Sequence, residues 1–238
     1  DIDQETLGLG RDLLIRIDFQ AHDDNLVYHF NEIAVTCLQG TDAYDMALTL
    51  CVNLTRALTD YRSGAWHYGS LAGTLFQLQP QAALGTLLNG RKYSRSTSLL
   101  NLFSHEEHSP VNCTEPKVLL AWADQQPVDR YPILAWEIHM FRKDGDNQVL
   151  VWSPLALHLL EQAPDRAVVL EIFSSRFRPT SWSGSLADAL TPYLCLVREF
   201  TCHADAVVAA WARHQEDSLS KQIEEEHQRD RHVDESFE

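Results

Sequence analysis

The chain has 238 residues, 45% of them apolar and 22% charged, enough for one large core or two modest ones and ordinary for a globular protein. A formal net charge of −15 opposes non-specific binding to phosphate backbones, so nucleic acid is a poor partner, and the cluster Arg91, Lys92 and Arg95 reads as a solvated turn. No apolar run reaches the roughly 18 to 20 residues of a membrane span, and none of these residues reads as part of a signal peptide.

Residues 1 to 20 hold a short helix ending in Leu13, Leu14, Ile15, Ile17 and Phe19. Gly8-Leu9-Gly10 within it lacks the third glycine and the preceding strand of a phosphate-binding loop. A polar break at His22 to Asn25 precedes a second helix, Leu26 to Leu38, closed by Gly40. Thr41 or Asp42 caps a third, with Tyr44, Ala47, Leu48, Cys51, Thr55 and Leu58 as its stripe and Arg62 to Gly64 as its end. A fourth carries Tyr68, Leu71, Ala72 and Leu75 and stops at Pro80; a short fifth runs from Gln81 to Leu88. Asn89 to Thr114 reads as the longest loop, and the expected organisation is a helical sub-bundle over 1–90, a loop over 91–114 and a helical-repeat region over 115–238.

Pro116 starts the next helix, through Trp122, and Tyr131-Pro132 another, through Phe141. Strand-like patterning is confined to Gln148 to Trp152. Ser153-Pro154, Asp165 and Ser185 then open three amphipathic helices, the second with Val169, Ile172, Phe173 and Phe177 on one face, the third with Leu186, Leu190, Tyr193, Leu194 and Val197. Asp205 caps a last long helix with Val207, Ala210 and Trp211 inward, continued by Leu219 and Ile223; its Glu-rich end is expected to stay helical and dock through Phe237. The fold class is therefore all-α. Asp caps about forty residues apart, at Asp165 and Asp205, favour an irregular, HEAT-like α-solenoid, with a compact helical bundle as the alternative.

Five cysteines, odd in number and mostly inside apolar stripes, read as reduced residues of a cytoplasmic protein. His105-Glu106-Glu107-His108 with Cys113 has the residue types of a zinc site, but Ser109-Pro110 breaks any shared helix face and no second pair completes four ligands. No metal and no cofactor are expected. Ser183 or Ser185, with His203 or His158 as base, would need a strand-to-helix turn that the sequence lacks. The stretch Arg178 to Gly184 is the one region of unusual residues without helical patterning. Arg178 and Trp182 there, with Trp152 and Phe237, are the candidate interaction residues, since Trp and Arg are the side chains most often energetic at interfaces; Trp182 as a plug between helix pairs is the alternative.

The segments Trp152-Ser-Pro-Leu-Ala, Ala163-Pro-Asp-Arg166, Val169-Leu170, Arg176-Phe-Arg-Pro179, Trp182-Ser-Gly-Ser-Leu-Ala187 and Asp230-Arg231 through Phe237-Glu238 resemble the carboxy-terminal helical region of large multidomain bacterial proteins. In that family a repeat-like helical region follows an effector or signalling NTPase module, and some members act in defence against phage. The resemblance covers residues 115 to 238 well and the rest loosely, and it brings no active-site residue with it. The start at Asp1 without Met suggests a piece of something longer, and Phe237-Glu238 a natural end. The resemblance implies a non-catalytic region for sensing, scaffolding or oligomerisation. Its partner is a protein, a second copy or an upstream domain, and any catalysis lies upstream. The alternative is a helical hydrolase or metal-dependent enzyme using the 105–113 or 178–185 loop.

Overall fold

The computed structural model describes residues 3–20, 24–59, 65–89, 98–103, 109–144, 149–179 and 182–236. The described residues are mostly helical, with a single two-stranded ribbon. The chain divides into two compact units, Asp1–Gln126 with Trp136–Ile138, and Pro127–Ala135 with His139–Glu238. The division thus falls after Gln126, whereas the expected linker 91–114 contributes Ser98, Leu99, Phe103, Ser109 and Val111 to buried positions.

In the first unit α1 (Gln4–Ile15) starts at Asp3, whose carboxylate accepts the Thr6 N–H at 2.7 Å. It crosses α2 (Asp24–Cys37) so closely that a Cβ on Gly10 would stand 2.4 Å from Cys37 Sγ. The Gly8-Leu9-Gly10 run is therefore helix, and Gly10 serves packing. A 3₁₀ turn, Thr41–Ala43, leads into α3 (Tyr44–Thr59), whose buried face is Ala47, Leu50, Cys51 and Leu54. Of the expected stripe, Ala47 and Cys51 are buried and Leu48, Thr55 and Leu58 half-buried; Tyr44 is corrected to the surface at 40% exposure, and Leu50 and Leu54 are covered instead. Helix α4 (Gly69–Leu78) is the centre of this unit, with Leu71 through Phe76 buried on every side. It is followed by α5 (Pro80–Ala83), a π turn (Leu84–Leu88), α6 (Leu99–Leu102) and a 3₁₀ turn (Pro110–Cys113), then α7 (Pro116–Ala123) with Pro116 at its first position.

Distant side chains close the helix ends that local sequence leaves open. Asn53 donates to Ile15 O at 3.1 Å, Arg11 to Cys37 O at 2.7 Å, and buried Gln79 to Leu38 O and Gly40 O at 2.7 Å each. The fully buried Glu137 accepts the first amide of α6, Leu99 N–H, at 2.9 Å. The Ile15 and Cys37 carbonyls and the Leu99 amide are groups that helix termini leave without an internal partner.

Helix α8 (Pro127–Glu137) begins at Pro127, four residues before the expected start, and holds Pro132 inside it. Proline there removes a bond to, and crowds, the carbonyl of Val128, a residue that is 72% exposed. Phe141 belongs to β1 (Phe141–Asp144), paired antiparallel with β2 (Val149–Trp152) so that Phe141 faces Trp152. Helices α9 (Pro154–Gln162), α10 (Arg166–Arg176), α11 (Leu186–Arg198) and α12 (Ala206–Ser236) complete the second unit. Ser153 Oγ accepts Ala156 N–H at 3.1 Å, Asp165 accepts Val168 N–H at 3.3 Å, and Asp205 accepts Val207 and Val208 N–H at 2.9 and 3.3 Å. Arg166 donates to Leu160 O and Glu161 O at the end of α9 and pairs with Asp205 at 2.5 Å, joining two helix ends to the start of α12. The inner face of α12 includes Val208, Ala209, Ala212 and Leu219; of the expected stripe, Leu219 is buried and Trp211 half-buried against Trp152, while Val207, 49% exposed, and Ala210 face outward.

Candidate functional site

The stretch from Arg178 to Ser185 is bounded by two helices whose ends are fixed from the core. At the end of α10, Phe177 is buried, and its ring stands 5.3 Å from Phe141, 5.4 Å from Tyr193 and 5.9 Å from Trp152. Arg176 donates to Ala135 O, and Arg178 N–H to Arg176 O at 2.8 Å, which turns the chain off the helix. Arg178 is exposed and Pro179 partly buried; Thr180 and Ser181 lie outside the described residues. Trp182 is 53% exposed, which excludes it as a plug between helices. Gly184 follows at φ +78°, a conformation that favours glycine, with open space where a Cβ would be.

Trp152 is placed differently from Trp182. It is only 4% exposed, packed among Phe141, Phe173, Phe177, Phe200 and Trp211 at centroid distances of 5.1 to 6.4 Å, and its indole N–H donates to Leu196 O at 3.2 Å. As a candidate contact residue Trp152 is corrected to a core residue: it ends β2 opposite Phe141, and α10, α11 and α12 supply partners around it. Burial in this cluster also pushes the Tyr193 phenol up from its ordinary range. Phe237 lies outside the described residues. Of the four candidates, Arg178 and Trp182 are exposed on one loop, and Trp152 is beneath the surface of the same unit.

The Ser185 hydroxyl donates to Asp230 Oδ2 at 2.6 Å. His203 lies beyond the far end of α11, whose 13 residues span about 20 Å, and its Nδ1 accepts the Asp205 N–H at 3.0 Å. His158 is on α9, and Ser183 is exposed. A serine nucleophile needs a base within hydrogen-bond reach, and Ser185 is instead engaged with a carboxylate. His105 to His108 lie outside the described residues; Cys113 is exposed, and among the described residues no group of three His, Cys, Asp or Glu side chains could hold a metal. None of the described helices is long and apolar enough to cross a membrane.

No protein-family model, curated protein or solved structure matches this chain. What the loop can do follows from its geometry. An exposed indole and guanidinium on a short loop, held between two anchored helices, offer contact area without much conformational entropy to lose. Asp230 was not visible as part of this region from sequence, because it meets Ser185 across 45 residues of chain.

Proposed function

We propose that the chain is a non-catalytic helical interaction region that binds a protein partner through the 178–184 loop, with Trp182 and Arg178 as its anchors. The observation that carries this reading is the 53% exposure of Trp182 on a framed loop, when Trp152 of the same unit is buried in the aromatic core. Tryptophan and arginine are the residues whose truncation most often abolishes an interface. The partner is an upstream domain of the same protein, a second copy, or a separate protein. The resemblance described above suggests a HEAT-like solenoid segment of a large cytoplasmic bacterial protein and a setting in defence against phage. The net charge of −15 argues against nucleic acid as the partner.

The experiment is to change Trp182 to Ala and, separately, Arg178 to Ala, in the parent protein. Thermal melts and partner retention during purification are then compared with the parent. Unchanged melts with loss of the partner support the reading. Full retention of the partner by both variants removes it.

A further inference from the structure

Ser185 stands at the N-cap position of α11 with φ −69° and ψ 130°, the extended backbone in which a serine oxygen ordinarily accepts the N–H of the second or third helical residue, here Ala187 or Asp188. It makes no such bond, unlike Ser153, Asp165 and Asp205, which all accept amides of the helices they open. Its hydroxyl is turned to Asp230 on α12.

Among the described side chains, little else of apolar character holds that part of α12. Of these described side chains Leu219 is its last buried apolar one and Ile223 is half-buried; from Glu224 to His232 every side chain is polar. Gln228 with Glu224, Arg229 with Glu226, and Arg231 with Glu224 are bonds inside the tail itself, and they stiffen the helix without fastening it to α11. Glu226, His227 and Asp230 are partly buried and, three and four residues apart, share the helix face from which Asp230 meets Ser185. Alongside these contacts the Ser185–Asp230 bond fastens the tail to the start of α11.

We propose that Ser185 is a two-position latch: its hydroxyl holds the end of α12 through Asp230 and, when the tail leaves, turns back to cap α11. Undocking of residues 224–236 then exchanges one hydrogen bond for another. A conformational change costs only the difference between its two states, so the tail is releasable while α11 stays intact. This latch is independent of what the 178–184 loop binds.

The test is amide exchange by NMR on the full chain, wild type against Asp230→Ala and Ser185→Ala. In Asp230→Ala the tail amides exchange at least about tenfold faster, and the Ala187 and Asp188 amides about fivefold slower as the freed hydroxyl caps them. In Ser185→Ala the tail loosens equally, and Ala187 and Asp188 are not slowed. Asp230→Asn, whose carboxamide oxygen still accepts the hydroxyl proton, keeps tail protection within about threefold of wild type. Tail protection unchanged in Asp230→Ala would show that the bond is not what holds the tail. A loosened tail without slowing at Ala187 and Asp188 would show that the hydroxyl does not return to the cap. Either result overturns the latch.

Discussion

Replacing Trp152 by Ala removes the centre of the second unit. The side chain is 4% exposed and is surrounded by rings from β1, α10, the turn after α11, and α12, all fixed in elements that cannot all move inward together. Truncating a tryptophan in such a site costs about 3–5 kcal/mol, toward the upper part of that range where the cavity cannot collapse. The variant also loses the indole donor to Leu196 O, one of the last-turn carbonyls of α11 without a partner further along the helix, a loss of about 1 kcal/mol. For a chain of this size each kcal/mol lowers the melting temperature by roughly 2–4 °C, so a loss of about 4 kcal/mol lowers it by roughly 8–16 °C. Differential scanning calorimetry gives the shift, and near-ultraviolet circular dichroism shows whether the ordered ring cluster is lost. Trp182→Ala, at an exposed position, changes stability by less than about 0.5 kcal/mol in the same assay. If Trp152→Ala melts within about 2 °C of wild type, the aromatic cluster is not what holds this unit together.

Gly10→Ala should destabilise by about 1–3 kcal/mol despite the better helix propensity of alanine, because the new Cβ falls 2.4 Å from Cys37 Sγ; adding Cys37→Ala recovers most of the loss, and stabilisation by the single change would refute the close crossing. The Asp205 carboxyl is held below its ordinary value of 3.8 first by the Val208 N–H, then by Val207 and Arg166, against the opposing effect of burial. Its folded value is the depressed one, so its contribution is complete above the ordinary value and disappears as the pH falls through the folded value. Amide exchange in the first turn of α12 should therefore accelerate only in acid, and Asp205→Asn, which still caps, should remove that acid response. Burial pushes the Cys51 thiol up to about 12, so iodoacetamide should leave it unmodified in the native protein while the exposed Cys195 and Cys202 react; early modification of Cys51 would contradict its buried position.

The helix starts at Ser153, Asp165 and Asp205 were legible because a cap and its amide lie two or three residues apart, so a short window contains the whole interaction. Where α2 and α4 stop was also legible, from Gly40 and Pro80, but the groups that close the helix ends were not. Asn53 serves Ile15 across 38 residues and Gln79 serves Leu38 across 41, and no local pattern announces either. Ser185 looked like a cap for the same local reason as Ser153, and only the return of α12 alongside α11 shows its oxygen engaged elsewhere. Stripes on α3 and α12 were right in part: Ala47, Cys51 and Leu219 are buried, whereas Tyr44 and Val207 are exposed and Leu50, Leu54 and Val208 are covered instead, a choice that belongs to the neighbouring helices. Within the candidate site the loop was legible from its Arg, Pro, Trp and Gly. The exposure of Trp182 and the burial of Trp152 were not, because both are tryptophans beside a serine and their difference is made by strand pairing and by rings brought from distant elements.

The central claim, that the 178–184 loop is where a partner sits, is tested most directly by hydrogen-exchange footprinting of this chain alone against the same residues within the parent protein or its complex. The account predicts slowed exchange at residues 178–185, reversed when Trp182 is changed to Ala. Unaltered exchange there, with protection appearing on other faces of the chain, would contradict it.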